Sequence, residues 1–193
     1  ACRINIDKNN IDSLSSILRA FENYDRKDLL NIYAAPVRRH TKESESYCFD
    51  YSEYNEVFDN IFGVLYEHGL LADIDFFAPK RKVTCCSTRA TNEIVVDTKG
   101  NLYKCMQTAT SDQYAVGTCR NGLEYNSELA KWLIPQTPEE CKECIYMPIC
   151  QAGCKGFRSL NNPLVSPCVN EKYYIDTILK YIYIISEDKM SFD

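Results

Sequence analysis

The chain has 193 residues, enough for one large domain or two small ones, and 45% of them are hydrophobic, an ordinary globular share able to bury a core. Its formal charge of −5 lacks the concentrated Lys and Arg that phosphate binding needs and argues against a nucleic-acid partner. No apolar run approaches the ~18 residues of a membrane span, and no secretory leader is recognisable, so neither a membrane partner nor export is expected.

Cys2–Ile6 alternates as a short strand that begins almost at once, without a Met before it, which suggests a piece of a longer protein. Asn10 is a candidate cap for a helix carrying Ile11, Leu14, Leu18 and Phe21 at helical spacing. Leu29–Ala35 reads as a second strand stopped by Pro36. After a polar loop, Tyr54, Val57, Phe58, Ile61, Phe62 and Leu65 mark one face of a helix that Gly69 can end. Ile74–Phe77 reads as a third strand, giving βαβαβ, an order that normally makes a parallel sheet with right-handed crossovers. Three strands are too few to close a barrel.

The pattern changes after Pro79, and the basic run at Lys80–Lys82 reads as a solvated loop. Asn92–Asp97 and Leu102–Cys105 form a candidate hairpin, with Gly100 supplying the positive φ of the turn. A helix is expected over Ser127–Leu133. Thr137-Pro138-Glu139-Glu140 resembles a capping box with Pro at the first helical position, which would set Cys141 and Cys144 on one face of a helical turn. A last helix over about 171–187 carries Ile175, Ile178, Leu179, Ile182 and Ile185. The boundary between domains falls near residue 80, giving 1–80 and 81–193.

Eleven cysteines is far above the usual share. The count is odd, the chain is not small, and C-x2-C and C-x3-C spacings suit disulfides poorly, so ligation in a reducing cytosol is the better reading. Cys141, Cys144, Cys150 and Cys154 alone could hold one zinc or belong to iron–sulfur clusters. With Cys86, Cys105 and Cys168 the pattern becomes C-x13-G-x4-C, then C-x2-C-x5-C-x3-C, then C. Seven thiolates exceed one zinc site; with an eighth ligand they match two cubane clusters. Cys85 satisfies the spacing as well as Cys86 does, and Cys119 is a further candidate.

This cysteine pattern, over residues 84–170, resembles the SPASM domain, the extension of many radical S-adenosylmethionine enzymes that carries two auxiliary [4Fe–4S] clusters. The βαβαβ of 1–80 resembles the second half of that family's partial (β/α)6 barrel. The resemblance implies an α/β fold: half of the partial barrel, then a small α+β SPASM domain with a hairpin, cysteine-rich loops and a C-terminal helix. It assigns Cys86, Cys105 and Cys154 to auxiliary cluster I, with Cys85 as alternative or extra ligand. Cys141, Cys144, Cys150 and Cys168 fall to auxiliary cluster II, and the eighth position is left open or weakly filled. The CxxxCxxC loop that binds the S-adenosylmethionine-cleaving cluster is absent from this sequence, as is the Gly-Gly-Glu segment. S-adenosylmethionine and a third [4Fe–4S] cluster are therefore implied only for a longer protein, with Arg3 and Asn5 as candidate contacts to S-adenosylmethionine and Arg38 a weaker one.

By the same resemblance, the implied activity is oxidoreductase chemistry on a peptide or protein, forming thioether or other crosslinks, with a ferredoxin or flavodoxin as electron donor and a cytoplasmic location. Sulfatase-maturing relatives carry an Asp after the second motif cysteine, where this chain has Met106, which turns the expectation towards crosslinking; Asp112 could substitute, although a loop Asp is usually just solvated. Two readings stand beside it: a sulfatase-maturase-like enzyme, and a zinc-binding interaction module, zinc also being an adventitious occupant of air-exposed sites. His40 reads as a loop residue and His68 as a cation at a helix C-terminus. Tyr173, Tyr174, Tyr181 and Tyr183 read as helix packing, Cys2 and Cys48 as ordinary thiols.

Overall fold

The computed structural model describes residues 1–25, 31–71, 78–83, 86, 88, 90, 92–134, 137–160 and 164–190. In chain order its elements are β1 (Cys2–Ile6), α1 (Leu14–Glu22), β2 (Ile32–Pro36), α2 (Tyr54–Glu67), β3 (Val95–Val96), β4 (Asn101–Tyr103), β5 (Gly117–Thr118), β6 (Gly122–Leu123), α3 (Ser127–Leu133), α4 (Met147–Cys150), α5 (Lys155–Leu160) and α6 (Ile175–Met190). They form a mixed α/β chain of two compact units, Ala1–Pro79 with Asn170–Asp193, and Lys80–Val169.

In the first unit β1 and β2 run parallel, Cys2 opposite Ile32 and Ile6 opposite Pro36. Pro36 ends inside the strand rather than stopping it. Val37 N–H donates to the Ile6 carbonyl at 2.8 Å, so by the two-residue alternation the nitrogen of Pro36 faces away from β1 and its missing donor is not needed there. The same alternation buries Ile6, Ile32 and Ala34, while Arg3 and Asn5 stand exposed on the opposite face. Tyr54, Val57, Phe58, Ile61, Phe62 and Leu65 of α2 bury the expected stripe, in one core with Leu14 and Leu18 of α1. Gly69, at φ +65°, closes α2 with a two-bond reversal: Gly69 N–H reaches the Tyr66 carbonyl at 2.9 Å and Leu70 N–H the Leu65 carbonyl at 2.8 Å. The expected third strand, Ile74–Phe77, lies outside the described residues.

Two expectations about helices change. Asn10 does not cap α1. A 3-10 turn, Ile11–Ser13, precedes the helix, and the Asn10 side chain instead clasps the loop, accepting from Asp7 N at 2.9 Å and donating to the Asn5 carbonyl at 3.1 Å. The final helix, expected in the cysteine-rich domain, packs in the first unit against α2. Its buried stripe is Ile178, Tyr181 and Ile185, continued by Tyr174 just before the helix, whereas Leu179 is 56% exposed. Tyr174 stacks on Phe58 with centroids 3.6 Å apart, Thr177 Oγ1 donates to the Asn55 carbonyl at 3.0 Å, and Tyr181 donates to the Asp59 carbonyl at 3.2 Å. These tyrosines match the aromatic face of α2, which outweighs adjacency in sequence.

In the second unit β3, β4, β5 and β6 form an antiparallel meander in that order. Its first turn is built by Asp97, whose Oδ1 accepts from Lys99 N at 2.9 Å and Asn101 N at 2.8 Å, and by Gly100 at φ +82°. Asn126 caps α3 by accepting from Leu129 N at 2.8 Å. Among the described residues the core cluster here is small: Leu102, Val116, Leu129 and Trp132 with Cys105, and Ile94 against it. Lys104 is buried, and its ammonium donates to the Ala90 and Glu93 carbonyls at 2.5 and 2.6 Å, tying the chain before β3 to the end of β4. Among the described residues no helix is long and apolar enough to cross a membrane.

Candidate metal centres

All ten described cysteines are free thiols. Cys105 leaves β4 in extended conformation and is buried beneath a 3-10 turn, Met106–Thr108. The first turn of α5 approaches it at Gly156. A Cβ on that residue would lie 2.8 Å from Cys105 Sγ and 3.8 Å from Cys154 Sγ, so glycine keeps the space between the two sulfurs clear. Burial pushes the Cys105 thiol up, hydrogen bonding from the Gln107 backbone pulls it back, and the nearby thiols of Cys154 and Cys86 raise it further. Cys86, Cys105 and Cys154 thus share one electrostatic neighbourhood.

A second neighbourhood surrounds Cys141. Pro138 stands at the cap of its 3-10 turn, Glu139–Cys141, and no side chain caps it, so the capping box expected from Thr137 does not form. Cys144 follows with its N–H on the Cys141 carbonyl at 3.3 Å, and Cys150 ends the short helix α4, which takes Pro148 at its start. Burial pushes the Cys141 thiol up; Arg158 counters that, while Glu140, Cys168 and Cys150 add to it. Cys150 and Cys168 thus lie near enough to bear on the charge of Cys141, and Cys144 follows it within the same turn.

The segment between Cys150 and Cys154 separates the two neighbourhoods. Gln151, Ala152 and Gly153 are left-handed in succession, at φ 53°, 64° and 71°. Non-glycine residues held there cost of order 1–2 kcal/mol each. The run reverses the chain between Cys150, which bears on Cys141, and Cys154, which bears on Cys105. It also brings the backbone against Pro167: Cys154 N–H donates to the Pro167 carbonyl at 2.6 Å, and a Cβ on Gly153 would lie 2.1 Å from that oxygen. Cys168 is delivered by the same contact.

The cysteines of both groups offer thiols, the donors that iron–sulfur clusters take and that zinc also accepts. Among the described residues no set of three or more His, Cys, Asp or Glu side chains is arranged to hold a single metal ion. Cys85 lies outside the described residues. Cys119 is exposed at the far end of the meander, its N–H on the Gly100 carbonyl at 2.7 Å, and Met106 is 73% exposed.

Cys2 is half-buried and Cys48 buried, both in the first unit. Arg3 Nε donates to Asn5 Oδ1 at 2.9 Å on the open face of β1, and Arg38 donates to Asn170 Oδ1 at 3.0 Å. Asp112, weighed as a substitute base, is 66% exposed and paired with Lys99 at 3.3 Å.

Two features were missed from sequence. His68 is more than a terminal cation: its Nε2 meets Ser15 Oγ at 3.0 Å and its Nδ1 stands 2.8 Å from Glu22 Oε1, joining α1 to the end of α2. Arg158 gathers three partners from the second neighbourhood: Nη2 donates to Cys141 Sγ at 3.3 Å, Nη1 to Glu140 at 2.8 Å, and Nε to the Ala152 carbonyl at 3.2 Å. No spacing rule announces either; both depend on segments distant in sequence.

The chain has the fold of part of anSMEcpe. Native anSMEcpe with bound AdoMet matches with a TM-score of 0.60 and 16% identity, over 99% of this chain and 57% of that one. The same protein with AdoMet and Cp18Cys peptide matches with a TM-score of 0.59 and 16% identity, over 99% of this chain and 58% of that one. With AdoMet and Kp18Cys peptide the TM-score is 0.58 and the identity 17%, over 96% and 57%. This chain therefore spans under three-fifths of the length of those solved proteins. No family model and no curated protein matches it.

Proposed function

We propose that this chain is the auxiliary-cluster part of a radical S-adenosylmethionine enzyme that modifies a peptide. It is read as the second half of the partial barrel followed by a SPASM-type domain. Cys86, Cys105 and Cys154, with Cys85 as alternative or extra ligand, would hold one [4Fe–4S] cluster; Cys141, Cys144, Cys150 and Cys168 would hold the other. The observation that carries the reading is the grouping of thiols around Cys105 and Cys141, in a chain that shares the fold of AdoMet- and peptide-bound anSMEcpe.

Bound clusters supply one-electron transfer or a binding place for a substrate sulfur. The protein's own part is to set the thiolates, keep the space beside Gly156 clear, and surround the sulfurs with the hydrogen bonds that tune them. Arg3 and Asn5, side by side on the open face of β1, are the candidate contacts for S-adenosylmethionine. The CxxxCxxC loop is absent from these 193 residues, so cleavage of S-adenosylmethionine is not assigned to them. A ferredoxin or flavodoxin is the proposed electron donor.

The solved neighbours are sulfatase-maturating enzymes, which favours that chemistry as a second reading. Against it, the position after Cys105 is the exposed Met106, and Asp112 is engaged at the surface with Lys99. Thioether or other crosslink formation on a peptide is the better fit.

Anaerobic purification followed by iron, sulfide and zinc analysis tests the proposal. About eight irons and eight sulfides per chain are expected. Replacing Cys105 by Ser should lose about half of both, and replacing Cys150 by Ser the other half. Zinc alone, after reconstitution with iron and sulfide, would establish a zinc-binding module instead.

A further inference from the structure

Arg158 has no place in the cysteine pattern, yet its guanidinium is fixed at all three nitrogens around Cys141. Nη2 donates to Cys141 Sγ, Nη1 to Glu140, the residue before it, and Nε to Ala152, inside the left-handed run between Cys150 and Cys154. The Arg158 side chain is 25% exposed and Cys141 is 7% exposed, so the contact is sheltered from water. Screening is weakest, and a hydrogen bond to charge strongest, at a sheltered site of this kind.

From this geometry we infer that Arg158 is a positioning residue that raises the reduction potential of the cluster bound by Cys141, by donating to the sulfur and placing a cation beside it. The inference rests on the cluster reading above. The electron count is simple. A cubane with four thiolate ligands carries two negative charges when oxidised and three when reduced by one electron. An N–H donor and a positive charge at one sulfur stabilise the three-minus state more, so less driving force is needed to reduce it. Glu140 partly offsets the charge, but it accepts from the other terminal nitrogen, Nη1, and is 67% exposed, where solvent weakens it. A clamp of backbone and side chain alone would do something different: its loss would lower cluster occupancy and leave the potential of the clusters that do form unchanged.

The test uses the complete chain, reconstituted anaerobically and titrated with dithionite while electron paramagnetic resonance follows each reduced cluster. Arg158→Gln keeps a hydrogen-bonding side chain and removes the charge. At a fixed potential it should lower the reduced-to-oxidised ratio of one cluster about tenfold, which is ~59 mV for one electron, and leave the other unmoved. Arg158→Lys keeps the charge without the fork and should recover part of that shift. Cys105→Ser should leave the affected signal in place and Cys150→Ser should abolish it, assigning it to the Cys141 set. Equal potentials in the native chain and Arg158→Gln, at full iron content, would overturn the inference. So would a shift confined to the Cys105 set. Where Arg158→Gln takes up too little iron, Arg158→Lys decides: a smaller negative shift supports the role, and an unchanged potential removes it. Zinc alone in the unsubstituted chain defeats both the cluster reading and this inference, and is seen before any variant is made.

Discussion

Gly156 and Gly153 lie close to the candidate ligands for different reasons, and the difference is measurable. At Gly156 the backbone is helical and only space is at stake: a methyl group would press on Cys105 Sγ at 2.8 Å. Gly156→Ala should therefore fold, and should lose iron and sulfide from the Cys105 set, leaving about four of eight irons. Gly153 adds a left-handed φ of 71° to a 2.1 Å approach to the Pro167 oxygen, which is backbone and cannot turn aside. Gly153→Ala should reduce uptake at both sets, because residues 150–154 feed both. Equal iron content in Gly156→Ala and the native chain would remove the crowding argument. The cysteines themselves were legible because thiolate ligation admits few substitutes and the spacings are short. Arg158 was not, because a donor to sulfur is defined by how α5 lies on the Cys141 turn. His68 was hidden for the same reason, its partners Ser15 and Glu22 belonging to another helix.

At the scale of elements, the start of α2 shows what local chemistry reveals and how it can be overlooked. Asp50 caps the 3-10 turn Tyr51–Glu53 that leads into α2 and forms a capping box: Asp50 Oδ1 accepts from Ser52 N at 3.0 Å, and Glu53 Oε2 accepts from Asp50 N at 2.6 Å. The signal was in the sequence, while Asn10, an equally good residue type, has its side chain occupied within a loop. Asp50→Ala should cost about 1 kcal/mol. Ser52 backbone and hydroxyl hydrogen bonds hold the Asp50 carboxyl below its usual range, and the Asp50 N–H does the same for Glu53. Folded values below unfolded ones mean that this stabilisation is complete above the unfolded carboxylate range of about 4 and disappears as pH falls through the folded values. The gap between the native chain and Asp50→Asn in urea unfolding should be present near pH 7 and close on acidification. A gap that widens in acid would refute the sign. For α6, Ile178→Ala should cost about 2–5 kcal/mol, and Leu179→Ala within about 0.5. The reverse order would mean that another face of the helix is buried.

Across the whole molecule, the change of pattern after Pro79 was legible because it is a change of composition, from amphipathic elements to cysteine-rich turns. The return of residues 170–193 to the first unit was not: α6 follows the last cysteine directly, and the helix it packs on lies about 120 residues upstream. The two units differ in what can hold them together. Among the described residues, the core cluster of the first joins seventeen buried residues, and that of the second joins five, one of them Cys105. At about 25 cal/mol per Å² of buried apolar surface, a core that small offsets little chain entropy, so the second unit should depend on what its cysteines bind. Trp132, the single tryptophan, is 1% exposed and lies in that unit, so its emission reports on it alone. Removing the bound metal with a chelator should shift Trp132 emission towards that of water-exposed indole at a urea concentration where the helical signal of the first unit persists. Ile178→Ala should move the helical transition and leave the Trp132 transition in place. A single coincident transition in every variant, with metal or without it, would mean that the small core suffices and that the cysteines are not what stabilises the unit.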